Sequence, residues 1–208
     1  MVVGQEVEVK FAVSHLAEMR QIILGQGGRL IRDRVLERNW RFDTPESTLT
    51  SRGQVLRFRQ DLTNTLTYKQ ATPDPMARTE IEFEVSEPDS ARSFLEALGY
   101  QVILIYEKYR ESFALAECEI VLDQLPFGQF VEIESDSKQA ILPVIKKLGF
   151  REQDQVTLSY AELFSEWKRR TGHNFRDATF AAFEKSSPVA PEDLGLVNSL
   201  PTAKVDLD

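Results

Sequence analysis

Charged residues in this chain recur two positions apart. Glu6, Glu8 and Lys10 come first; Arg57 and Arg59 follow, with Lys69 ten residues on; then Glu80, Glu82 and Glu84; then Lys108 and Arg110; and last Asp123, Glu132 and Glu134. Arginine and lysine match phosphate oxygens, arginine with a bidentate fork. Grouped carboxylates suit a hard, oxygen-seeking dication such as Mg²⁺ or Mn²⁺. Other chemistries lack their residues. Cys118 is the single cysteine, and His15 and His173 are the two histidines. That is too few for a disulfide framework or a cysteine-rich zinc site. The run Gly25-Gln26-Gly27-Gly28 has no strand leading into it and no Lys-Ser or Lys-Thr after it. It reads as a helix stop, not a phosphate loop.

A spacing of two is the side-chain period of a β-strand. Extended segments are predicted over 3–11, 36–43, 54–60, 65–71, 79–86, 101–107, 108–114, 116–123 and 129–134, eight or nine strands in all. In each charged strand the charges oppose apolar residues. Glu6, Glu8 and Lys10 oppose Val7, Val9 and Phe11; Arg57 and Arg59 oppose Leu56 and Phe58; Glu132 and Glu134 oppose Val131 and Ile133. An antiparallel sheet with one wet face explains any single strand. A solvated face, however, mixes in Ser, Thr, Asn and Gln, and here most of these positions are formally charged. Amphipathic helices are also predicted from Ser14, Pro88, Ser137 and Thr157 onward, and each needs an apolar surface to cover. Both needs are met by an α+β fold: a closed eight-stranded antiparallel β-barrel, with helices packed outside and charges pointing into the lumen. Such a barrel is just wide enough for inward side chains or one small ligand.

The inward candidates are eight acids (Glu6, Glu8, Glu80, Glu82, Glu84, Asp123, Glu132, Glu134) and six bases (Lys10, Arg57, Arg59, Lys69, Lys108, Arg110). Enclosed charge is costly unless paired. Two unit charges at 4 Å interact by ~4 kcal/mol at an effective dielectric of ~20, so sign matters. The acid excess of two disfavours a bare polyanion, and one divalent ion cancels it. A metal–polyphosphate complex is the expected guest.

Composition bounds the rest. The 208 residues are 42% hydrophobic with 13 Phe, enough for a sizeable core, and the net charge of −8 excludes a basic nucleic-acid coat. No apolar run approaches the ~18 residues of a membrane span. The N-terminal stretch lacks the basic and apolar regions of a signal peptide, so a cytoplasmic protein with no membrane partner is expected. Cys118 and Trp167 read as core packing, and Lys168-Arg169-Arg170 as decoration of a helix C-terminus. Residues 1–170 are expected to form the barrel domain and 171–185 a short helical extension. The acidic, proline-containing stretch 186–208 is expected to be a flexible tail.

With these residues in hand, the chain resembles the CYTH, or triphosphate tunnel metalloenzyme, superfamily. Glu6-Val7-Glu8-Val9-Lys10 is similar to its ExExK signature, residues 39–45 (NWRFDTP) to its aromatic-Asp-Thr strand, and 56–69 (LRFRQDLTNTLTYK) to LRxR…LTxK. Residues 78–85 (RTEIEFEV) resemble RxExE, 107–110 (EKYR) the later KxR, and 122–134 (LDQLPFGQFVEIE) the closing Asp…Gly-x-Phe-x-Glu-x-Glu. The likeness spans residues 4–164. It implies a tunnel that takes a triphosphate-bearing small molecule with Mg²⁺ or Mn²⁺, and a homodimer is in keeping with it. By position it assigns Glu6, Glu8, Glu132 and Glu134 to the metal. Asp123 and Glu82 go to the metal or to water positioning, and Lys10, Arg57, Arg59, Lys69, Lys108 and Arg110 to the phosphates.

The expected reaction is metal-dependent hydrolysis of a triphosphate, inorganic or organic, with Lys10 placed to orient the attacking water. As a general base Lys10 would need a lowered pKa. The superfamily's branches include CyaB-like class IV adenylate cyclases and thiamine triphosphatases, so conversion of ATP to cyclic AMP and pyrophosphate is the alternative. A non-catalytic polyphosphate- or nucleotide-binding module is a third reading.

Overall fold

The alternation of apolar and charged residues sorts the chain into an inside and an outside. The computed structural model describes residues 2–73 and 77–199, the side chains of 2–6 and 77 excepted. Eight strands carry the fold: β1 (Val2–Val13), β2 (Arg29–Asp43), β3 (Gln54–Gln60), β4 (Asn64–Ala71), β5 (Ala77–Glu84), β6 (Gln101–Leu115), β7 (Cys118–Leu125) and β8 (Gly128–Ser135). All neighbours are antiparallel, in the order β1-β5-β4-β3-β2-β6-β7-β8. The ring closes through β1, which pairs with β5 over residues 2–7 and with β8 over residues 7–13.

Helices cover the outside. α1 (Leu16–Gly25) and α4 (Lys138–Lys147) bring Met19, Ile22, Ile23, Ile141, Val144 and Ile145 against the outward Val7, Val9, Phe11 and Val13 of β1. Gly28 ends the turn after α1 by close approach: a Cβ there would lie 2.4 Å from Ile23. α3 (Pro88–Ala97) seats Leu95 on Trp40, Phe42 and Phe58. α2 (Thr48–Ser51), which no periodicity announces, is built by the buried Asp43. That carboxylate accepts hydrogen bonds from the Thr44, Leu49 and Thr50 backbone and from the Thr50 hydroxyl.

α5 (Tyr160–Thr171) opens with a capping box between Ser159 and Glu162 and lies across one end of the ring, where Tyr160, Ala161 and Glu162 face the interior. Its apolar face joins α6 (Phe180–Phe183) in an aromatic cluster of Phe127, Phe164, Trp167 and Phe183. The segment between these helices fills an edge of β6 that β7 leaves uncovered. Ala178 exchanges backbone hydrogen bonds with Ile105 and Glu107 there, and Asp177 accepts one from Ile105.

Several boundaries differ from expectation. β2 begins at Arg29 rather than Leu36; its first half is irregular, with register shifts between Leu30, Arg32 and Val35 that break the period of two. The two segments expected over 101–114 are one strand. Residues 186–199, expected to be a flexible tail, pack on the barrel with Leu194 only 2% exposed, and Ser199 bonds to the Ala12 carbonyl. Residues 200–208 lie outside the described residues. No described helix is long and apolar enough to cross a membrane.

Candidate functional site

Eleven of the sequence-expected residues line one cavity of about 470 Å³ inside the ring: Glu8, Lys10, Arg57, Arg59, Lys69, Glu80, Glu82, Lys108, Arg110, Glu132 and Glu134. Strand parity puts them there. Lys10 faces Glu132 and Glu8 faces Glu134 across β1 and β8, while Arg110 faces Asp123 across β6 and β7. Asp123 itself stands behind the wall, fully buried, accepting from Lys108 Nζ at 3.0 Å, Arg110 Nε at 2.8 Å and the Tyr160 hydroxyl at 2.9 Å. Glu6 opposes Arg78 through its backbone, and its side chain lies outside the described residues. Glu84 is a correction. It shares the inward parity but is exposed and does not line the cavity, because it falls at the far end of β5 where solvent reaches the margin of the sheet.

The charges form two networks. In the first, Glu132 takes Lys10 at 3.1 Å and Arg110 at 2.5 Å, and Arg110 also reaches Glu134 at 3.7 Å. Burial alone would raise the Glu132 pKa, but Lys10, Arg110 and Lys108 together hold it well below the usual carboxylate range. Burial alone would lower the Lys10 pKa, and Glu132, Glu8 and Asp123 outweigh that and raise it. The direction is opposite to the lowering that a general base would need. The Tyr160 ring lies 4.3 Å from the Lys10 ammonium and 5.4 Å from that of Lys108, a π face shared between two like charges.

In the second network, Glu82 takes Arg59 at 3.2 Å and Arg57 at 3.6 Å, and Lys69 pairs with Glu80 at 2.7 Å. Beneath both lies Glu37, fully buried, with Lys108 at 3.6 Å and Arg110 and Arg32 at 4.0 Å. Burial pushes its pKa up, yet Lys108, Arg110, Arg59 and Arg57 pull it down to about 2.

A patch of this wall is unsatisfied. Among the described residues, the buried Nε atoms of Arg41, Arg57 and Arg59, both amide atoms of Asn39 and the Thr65 hydroxyl make no hydrogen bond. All belong to β2, β3 and β4, and the same wall also leaves acceptors without a hydrogen bond, the two carboxylate oxygens of Glu37 and the amide oxygen of Asn64. Buried donors without partners cost about 1–3 kcal/mol each, so a guest rich in acceptor oxygens would relieve them.

Sequence reasoning missed Glu37, Asn39 and Arg41 on β2, Arg78 on β5, and Arg32, Glu119, Tyr160 and Glu162. Arg78 shares parity with Glu80 and Glu82, and Glu119 with Asp123, whereas β2 carries charges on both faces; Tyr160 and Glu162 sit on a helix, where strand parity gives no signal. With them the balance changes. Nine bases and seven acids line the cavity among the described residues, the reverse of the acid excess expected. Among the described residues the lining of the lumen is thus richer in bases than in acids, although the chain as a whole is acidic.

The chain is similar to several known proteins. The family described as CYTH domain matches residues 4–160. The adenylate cyclase CyaB of Aeromonas hydrophila is 24% identical over 168 residues, 76% of this chain and 87% of that protein. A Vibrio parahaemolyticus structure, named as a candidate adenylate cyclase, is 27% identical with a TM-score of 0.70, covering 78% of this chain and 98% of its own. A Hippeastrum protein, described as having a dominant triphosphatase activity, shares the fold with a TM-score of 0.55 at 14% identity, covering 84% of this chain and 98% of its own. The family match ends at Tyr160, so nearly all of α5 and the residues C-terminal to it lie beyond the matched region.

Proposed function

The chain belongs to the CYTH domain family, and from that premise we propose that it is a divalent-metal-dependent triphosphatase acting on inorganic tripolyphosphate or an organic triphosphate. The observation that carries this reading is a lumen lined, among the described residues, by nine bases and seven acids, with Arg57, Arg59 and Lys69 gathered on one side of it. Phosphoryl transfer needs positioning and charge neutralisation more than covalent chemistry. Arg57, Arg59 and Lys69 bind the oxygens of the transferred group and oppose the charge that develops there. Lys10 and Lys108, both beside the Tyr160 ring, take the neighbouring phosphate.

The carboxylates fit a hard dication. Glu8, Glu134 and Glu119 stand side by side as register partners on β1, β8 and β7, and all three line the cavity. Among the described residues no three acids converge into a ready-made metal cluster; Asp123 and Glu132 are already engaged by Lys108, Arg110 and Lys10. Glu8 and Glu134, with Glu6 beside them in sequence, would hold the ion. Bound there, Mg²⁺ or Mn²⁺ supplies charge neutralisation and an acidified water. Glu82 already accepts from the Thr67 hydroxyl and from Arg59, which suits it to orienting the phosphate donors.

Cyclisation of ATP is the second reading, favoured by the names of the relatives. It needs a slot for the base, and the described lining offers Gly53, Val55 and Ala161 with the rings of Tyr106 and Tyr160, of which Tyr160 is already engaged by Lys10, Lys108 and Asp123. Purified protein incubated with tripolyphosphate and with ATP, each with Mg²⁺ or Mn²⁺, separates the readings. Orthophosphate from tripolyphosphate without cyclic AMP from ATP is the expected result. Cyclic AMP with equimolar pyrophosphate overturns it.

A further inference from the structure

Arg41 is left out of both charge networks. It lines the cavity from β2, its buried Nε makes no hydrogen bond, and no carboxylate oxygen stands within 4.0 Å of its guanidinium among the described residues. Its register partner across β3 is another cation, Arg57. Directly opposed side chains on paired strands have Cβ atoms roughly 5 Å apart, and like charges so placed are destabilising. Burial lowers the Arg41 pKa, and the longer-range attraction of Tyr106, Glu162 and Asp43 offsets only part of that. An unpaired, desolvated arginine facing another arginine weakens the fold unless something anionic joins them.

Its position suggests what joins them. Arg59 and Arg57 are alternate residues of one strand, about 7 Å apart along it. Arg41 extends that row of donors onto the next strand, toward the end of the lumen that α5 covers with Ser159, Tyr160 and Glu162. A phosphate chain lying along Arg59 and Arg57 would bring an end phosphate beside Arg41, the register partner of Arg57, at the end of the lumen lined by Ser159, Tyr160 and Glu162. Inorganic tripolyphosphate carries a charged terminal phosphate at each end. A nucleoside triphosphate carries one at a single end and a bulky ester at the other.

We propose that Arg41 is a specificity-determining residue that binds the free terminal phosphate of an unsubstituted triphosphate and so favours inorganic tripolyphosphate over nucleoside triphosphates. This rests on the triphosphate reading of the same lumen and names the form of triphosphate that fits it. The guanidinium fork matters as well as the charge, since it can span two oxygens of one phosphate while staying beside Arg57.

The test uses the full chain as wild type, Arg41→Gln and Arg41→Lys, in EDTA so that no turnover intervenes. Tripolyphosphate and ATP are titrated calorimetrically, and melting temperatures are taken without ligand. For Arg41→Gln, tripolyphosphate affinity is expected to fall roughly 10–100-fold, the loss of a charge-assisted bidentate contact, while ATP affinity changes less than about threefold. Arg41→Lys should lie between. The ligand-free melting temperature of Arg41→Gln should equal or exceed that of wild type, because a repelled, desolvated charge is gone. Equal weakening toward both ligands overturns the specificity assignment, unchanged affinity removes Arg41 from the ligand, and a lowered melting temperature makes it structural. A wild type that binds neither ligand refutes the triphosphate reading itself, and this assignment falls with it.

Discussion

Glu37→Gln removes the buried carboxylate on which the lumen cations converge. Lys108, Arg110 and Arg32 stand 3.6–4.0 Å from it, and its pKa drops from 4.5 to about 2 despite complete burial. By proton linkage, a fall of that size corresponds to about 3–4 kcal/mol of stabilisation at neutral pH. Because this acid is depressed in the folded state, its contribution is full above its ordinary value near 4.5. It drains away as pH falls from about 5 to about 2. In a protein of this size, 3 kcal/mol corresponds to a melting-temperature loss of about 6–12 °C. Differential scanning calorimetry of wild type and Glu37→Gln at pH 7 and pH 3 should show that gap at pH 7, reduced by more than half at pH 3. Tripolyphosphate should raise the melting temperature of Glu37→Gln more than that of wild type, since it gives the abandoned cations a new counter-ion. Equal melting temperatures at pH 7, or a gap that does not change with pH, would refute the placing of Glu37 as the central counter-ion.

Other substitutions probe separate parts of the site. Glu134→Gln should leave the ligand-free melting temperature within about 1 kcal/mol equivalent of wild type, while the stabilisation conferred by added Mn²⁺ falls; thermal scans with and without the metal decide it. Tyr160→Phe keeps the ring over Lys10 but loses the hydroxyl bond to Asp123, a loss of about 1–2 kcal/mol in urea unfolding; Tyr160→Ala should exceed it, and equal effects would dismiss the ring's contact with the two ammonium groups. Trp167, 2% exposed within the aromatic cluster of α5 and α6, should cost about 3–5 kcal/mol as alanine. A surface-like loss below about 0.5 kcal/mol would show that the C-terminal helices do not brace the barrel.

What the sequence made legible and what it hid divide along a physical line. Parity decides which face a strand residue occupies, so Glu8 and Lys10 against Val7, Val9 and Phe11 were readable one strand at a time. Parity says nothing about depth along the strand, which is why Glu84 fell outside the cavity while Glu80 and Glu82 line it. It also blurs where charges stand on both faces. On β2, Arg38 lies opposite the parity of Glu37 and Arg41, and the irregular stretch from Arg29 to Val35 hides the strand's start. Pairing is hidden altogether: Lys10 meets Glu132, and Arg20 meets Glu111, only after the chain has closed on itself. Composition failed for 186–199 in the same manner, since Val189, Leu194 and Leu196 are enough to anchor a stretch whose average is acidic. Closure also separates the charge of the chain from the charge of its interior. The net charge of −8 belongs to the whole molecule, but among the described residues nine bases and seven acids line the lumen, with low-dielectric walls behind them. An acidic protein can thus hold a polyanion, because the sign that counts is set by which strand faces the ring encloses.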